Sequence, residues 1–139
     1  MRWFVLFGLW PLIGCGSTWP SGSYADIGQD VNAPVTVVTA LTACTADLLP
    51  YQSAVHVVDA PQTVGKTFTL LLPEALAQIG LHASDIGQPV HYAVTGLGHD
   101  PADGAFIRVV TDQGICAQYF TQDGNKDLHV AGPLMVARP

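Results

Sequence analysis

The stretch "AFIRVVTDQGICAQYF", residues 105–120, constrains the fold more than any other part of the chain. Two runs rich in β-branched and aromatic residues flank Asp112-Gln113-Gly114, and both alternate in character along their length. Alternation of period two is strand geometry, and a short polar connection closing on Gly predicts a hairpin with a three-residue loop. Ile107 and Val109 fall on the side opposite Arg108, while Ile115, Ala117 and Tyr119 share a side. "PVHYAV" (89–94) puts Val90, Tyr92 and Val94 on one face, and "PLMVAR" (133–138) reads as a last strand. A sheet with one apolar face needs a second layer to cover it.

Two segments supply that layer. "VTVVTALTACTADLL" (35–49) repeats apolar residues at Val38, Leu41, Cys44 or Ala46, and Leu48, which predicts a helix stopped by Pro50 despite its β-branched residues. "KTFTLLLPEALAQIGLHA" (66–83) predicts another, with Phe68, Leu72, Leu76 and Ile79 on one face, Thr67 as its cap and Gly80 as its stop. Pro73 conflicts with it, since proline removes a helical hydrogen bond and predicts a bend or a late start. Between the two, "SAVHVVDA" (53–60) alternates as a strand and halts at Pro61. "GHDPADG" (98–104) and "TQDGNKD" (121–127) read as loops. The order predicts an α+β domain: a small, mostly antiparallel sheet with two helices against it.

The N-terminal stretch "MRWFVLFGLWPLIGC" reads as an export signal. Arg2 gives it a positive start, and the apolar run Trp3–Ile13 is well short of the roughly 20 residues a membrane span needs. Leu12-Ile13-Gly14-Cys15 resembles a bacterial lipobox, whose cysteine thiol receives a diacylglyceryl group before the chain is cut ahead of it and its new end acylated. Residues 1–14 are then a signal peptide and Cys15 the lipidation site. An ordinary signal peptide with an incidental cysteine, or a buried apolar strand, is the competing reading. With Gly16 rather than Asp after the cysteine, the expected location is the outer membrane of a Gram-negative bacterium, on its periplasmic side. Residues 15–34, rich in Gly, Ser, Pro and Asp, read as a lipidated tether, and 35–139 as the compact domain. Residues 16–34 reach about 60 Å at roughly 3.3 Å each. Trp19, Pro20 and Tyr24 are unusual in a spacer and leave two readings: docking points on a partner, with the tether ordered on binding, or incidental aromatics of an idle linker.

Export would place Cys44 and Cys116 in an oxidising compartment, as an even pair once Cys15 carries lipid. The sequence leaves two readings: a disulfide, or two small buried hydrophobes that never meet. The net charge is −6, and residues 1–14 contribute Arg2 and no acid, so the remainder is more acidic still. That excludes a nucleic-acid partner, which needs a basic face for phosphates. No catalytic constellation is present in the sequence. "GKT" (65–67) lacks the Gly a phosphate loop requires, with Ala60 standing there. His56, His82, His91, His99 and His129 have no metal-ligand spacing, and Asp100 and Asp103 fit no calcium loop. The expectation is a non-enzyme with no cofactor and no metal.

Taken together, the lipobox, the helix ending before a proline, Phe68, Leu72 and Leu76 with Gly80-Leu81, "PVHYAV", "FIRVVTDQGICAQYF" and the tail "AGPLMVAR" make residues 31–138 similar to TrbH-type conjugal transfer lipoproteins. Leu81 departs from the pattern where an aromatic is expected, and Pro73 interrupts the helix. The resemblance implies a lipoprotein of the outer-membrane core complex of a type IV secretion or conjugation system, with a domain like the N0 module of secretins. Its partners would be other core-complex subunits in a homo- and hetero-oligomeric ring, held to the outer membrane by the lipid. The final strand, with Leu134 and Val136, is then expected to accept a partner strand along its edge. The alternative is a periplasm-facing binding or inhibitory lipoprotein: a conjugation exclusion factor, a lysozyme-inhibitor-like protein or a small-ligand binder.

Overall fold

The computed structural model describes residues 22–26, 34–61, 63–96, 104–123, 125 and 127–139. The signal segment 1–14, Cys15, Trp19, Pro20, His99, Asp100 and Asp103 lie outside the described residues. In chain order the elements are β1 (Tyr24–Asp26), α1 (Pro34–Leu48), β2 (Ala54–Val57), α2 (Thr63–Gln78), β3 (His82–Ala83), β4 (Gln88–Gly96), β5 (Ala105–Thr111), β6 (Gly114–Gln122), β7 (Leu128–Val130) and β8 (Met135–Ala137).

The centre of the sheet is the antiparallel ladder β4-β5-β6. Its two flanking strands are long, and each carries two short strands end to end on its outer edge. Along β4, β2 pairs in parallel with Gln88–Val90, and β1 pairs in parallel with Ala93–Thr95. Along β6, β8 pairs with Ile115–Ala117 and β7 with Phe120–Gln122, both antiparallel. β3 extends the sheet beyond β2. The result is an α+β fold, with two helices and a mixed, mostly antiparallel eight-stranded sheet.

Alternation decides which face is covered. Val90, Tyr92, Val94, Ile107, Val109, Cys116 and Phe120 are buried in one cluster with residues of both helices. Helix α1 packs on α2, β5 and β6, while α2 lies over β1, β2 and β3. Phe68 meets Tyr92 edge to face, with ring centroids 6.2 Å apart. Burial raises the pKa of the Tyr92 phenol, and the neighbouring Thr69 hydroxyl and Ala60 backbone pull the other way. Helix α1 buries Thr45 without penalty to its hydroxyl, which donates to the Leu41 carbonyl at 2.7 Å. The bridge between Cys44 and Cys116 is formed: it fastens the middle of α1 to β6 across a sequence separation of 72.

Several elements differ from the sequence-based expectation. Helix α2 starts at Thr63 and runs unbroken through Pro73, so Thr67 is an exposed interior residue rather than a cap. A proline inside a helix costs about 3 kcal/mol. Burying Phe68, Leu72 and Leu76 returns about 2 kcal/mol each, and the side chains prevail. The helix ends before Ile79, which is 39% exposed and off the apolar face. Gly80, at φ 87°, closes the helix in a Schellman arrangement. The Leu81 N–H bonds the Leu76 carbonyl at 3.0 Å, and the Gly80 N–H bonds that of Ala77 at 3.1 Å. His82 and Ala83, beyond the Gly80 stop, form the short strand β3, which the sequence does not mark. The hairpin turn is two residues, because Gly114 already pairs with Thr111.

The largest difference concerns the tether. Residues 22–26 belong to the folded body: Tyr24, Ala25 and Asp26 pair with Ala93, Val94 and Thr95. Ser23 is buried, and its Oγ accepts the Tyr92 N–H at 3.0 Å. Three short residues offered no periodicity long enough to mark a strand. The consequence is a shorter leash: Cys15 to Gly22 spans at most about 23 Å at roughly 3.3 Å per residue, against the 60 Å or so expected for a free segment to residue 34.

Closing a loop this long should contribute about 4 kcal/mol through the unfolded chain. Urea unfolding of the Cys44→Ala/Cys116→Ala chain is therefore expected to show a loss of that size, and the same loss on adding reductant to the unsubstituted chain.

Candidate functional site

The face of the sheet away from the helices carries the other half of each strand's alternation. Tyr24, His91, Ala93, Phe106, Arg108 and Val110 alternate with core residues and line an open cleft of about 540 Å³. Registry explains the grouping. Ala93 of β4 stands between Tyr24 of β1 and Arg108 of β5, and His91 faces Val110. The cleft surface is mostly apolar, with Gly22 at one side and Asp112 on its margin. Burial alone lowers the pKa of Arg108, which stays cationic at neutral pH. His91 Nδ1 and Thr95 Oγ1 are sealed from solvent and find no hydrogen-bond partner among the described residues. Beyond the cleft the same face continues onto β6, where Tyr119, 44% exposed, meets Phe106 with ring centroids 5.9 Å apart.

Of the expected docking residues, Tyr24 is half-buried on β1 and lines this cleft. Leu134 lies just before β8, partly buried and packed against the domain's own core. Val136 is 39% exposed on β8. One edge of β8 pairs with β6, and its other edge has no partner among the described residues. Arg138 anchors the chain just past β8, where its Nη2 donates to the Asp47 carbonyl at 2.6 Å. A second polar cluster organises the turn between β6 and β7. Asp123 accepts the N–H groups of Asn125 and Asp127 and pairs with His129 Nε2 at 2.6 Å. His129 first, then the Asp127 backbone, hold the Asp123 carboxyl below its usual range. Both its oxygens are thus taken up by the turn itself.

Among the described residues no group of three or more His, Cys, Asp or Glu side chains is placed to hold a metal ion. No helix among them is long and apolar enough to cross a membrane. Comparison with family models, with curated proteins and with solved structures finds no match to this chain.

Tyr24 was expected at a binding surface and Arg108 on the side away from Ile107 and Val109, but the sequence does not group them with His91, Phe106 and Val110. The same period that selects Val90, Tyr92 and Val94 selects His91, Ala93 and Thr95 for the reverse face. Tyr24 carries no such mark, since nothing in three residues says that they will lie beside β4.

Gly114 decides whether β8 can stay on the sheet. Its φ is 141°, and a Cβ there would collide with the Ala137 carbonyl oxygen. The Gly114→Ala chain is expected to lose about 1–3 kcal/mol and to expose Met135–Ala137, read as faster amide exchange confined to β8 and the hairpin.

Proposed function

We propose that this chain is a structural outer-membrane lipoprotein of a type IV secretion or conjugation machine. Cys15 carries the lipid, and the α+β body packs beside neighbouring subunits of the core-complex ring. The observation that carries the anchoring half of this reading is the cysteine count. The chain has three cysteines, and Cys44 and Cys116 are bonded to each other. Cys15 is the one left over, and it follows directly on the apolar run Trp3–Ile13. A disulfide is at home outside the reducing cytosol, which agrees with export.

The assembly half rests on the resemblance of residues 31–138 to TrbH-type lipoproteins, with their N0-like domain. The outer edge of β8 supports it, because a strand edge with exposed Val136 is a surface on which a neighbour's strand can add. The acidic balance of the chain suits a protein partner better than a nucleic acid. No part of the proposed role is catalytic. One observation favours a second reading, a periplasm-facing binding lipoprotein: the apolar cleft on the helix-free face has the size of a small-ligand site.

Purification from membranes in mild detergent, followed by intact mass and mass state, tests the first reading. The expected result is a polypeptide beginning at an acylated Cys15, in a large assembly with other subunits. An unmodified cysteine in a monomeric chain would overturn it.

A further inference from the structure

The exposed surface of the cleft is mostly apolar, although its lining also carries His91, Thr95, Arg108, Thr111 and Asp112. Rings from Tyr24 and Phe106 and the branched side chain of Val110 stand around a floor at Ala93. Its volume of about 540 Å³ lies inside the range of roughly 300–1,000 Å³ typical of small-molecule sites. Arg108 is the cation on its lining and sits directly across from Ala93. A guanidinium has five N–H donors, so a contact made elsewhere still leaves donors for a carbonyl oxygen. An alkyl chain asks only for carbon walls and one donor at its head.

We infer that the cleft binds a fatty-acyl chain, an unbranched alkyl group joined to one ester or carboxylate head. The chain path supplies a second argument. Gly22 lies on the cleft lining, and Cys15 is at most about 23 Å of extended chain from it. A lipid on Cys15 is therefore kept within reach of the cleft mouth, and the site is placed either to shelter that lipid or to take one from the adjoining membrane. The choice of source rests on the lipoprotein reading, but the cleft and its ligand class do not.

The first arm uses the full chain with Cys15→Ser, titrated with a dansyl-labelled undecanoate and competed with octanoate, decanoate and dodecanoate. Saturable one-to-one binding is expected, tightening about four-fold for each methylene added. Val110→Asp should weaken decanoate at least ten-fold. Absence of saturable binding, or affinity that ignores chain length, overturns the proposal whether or not the variant folds. The second arm places a photoreactive benzoylphenylalanine at Val110 in the chain isolated from membranes. A crosslink to the lipid on the Cys15 peptide identifies the chain's own acyl group as occupant, and a crosslink to phospholipid identifies a membrane lipid. Crosslinks to neither contradict the inference. An unmodified Cys15 would end the lipoprotein reading while leaving the first arm intact, so the two failures are distinguishable.

Discussion

The pairing of β1 with β4 is the contact on which the rest of this structure depends. β4 has one edge committed to β5, and its other edge is divided between β2 at one end and β1 at the other. Without β1, the Ala93–Thr95 half of that edge would present unpaired backbone groups. With it, Ser23 closes a buried hydrogen bond to Tyr92, Ala25 enters the core, and Tyr24 becomes a wall of the cleft. One short contact thus completes the sheet, forms the site and fixes where the preceding chain leaves the body. It is a long-range contact of low local propensity, stabilised by the strand already in place and by burial of Ala25.

The covalent bridge plays the matching part on the other side of the sheet. Helix α1 is rich in β-branched residues and is weak as an isolated helix. It is held by burial of Val37, Leu41 and Leu48 and by the bond from Cys44 to Cys116 in β6. Helix α2 has no such bond and tolerates Pro73 through the burial of its Phe68, Leu72 and Leu76 stripe. The two helices leave the reverse face of the sheet to other uses.

Much of this was legible in the sequence, and the reasons are specific. Alternation gave β5 with its limits and placed Val90, Tyr92 and Val94 in the core. Helical spacing gave both helices, and the Gly80 stop is real, with its positive φ. What failed were features set by tertiary pairing. β1 and β3 are too short to show a period, and β3 exists because His82 and Ala83 pair with Ala54 and Val55. The helix starts at Thr63, four residues before the expected Thr67 cap. Leu134, read as part of the last strand, precedes β8 and packs its partly buried side chain against the core. Of the cleft, the outward position of Arg108 was readable from alternation, whereas its grouping with Tyr24 required the β1 register.

A body fixed at β1 is a body held close to whatever Cys15 is attached to. That consequence separates a short-leashed part from a domain reaching across a wide gap, and on the proposed lipoprotein reading it would set the cleft beside the membrane. Amide hydrogen exchange at residues 24–26 tests it most directly. Paired in the sheet, the amides of this segment that point at β4 should exchange as slowly as those of β4, through global opening. Exchange at the rate of an unprotected peptide would contradict the account and return the chain before α1 to a free tether.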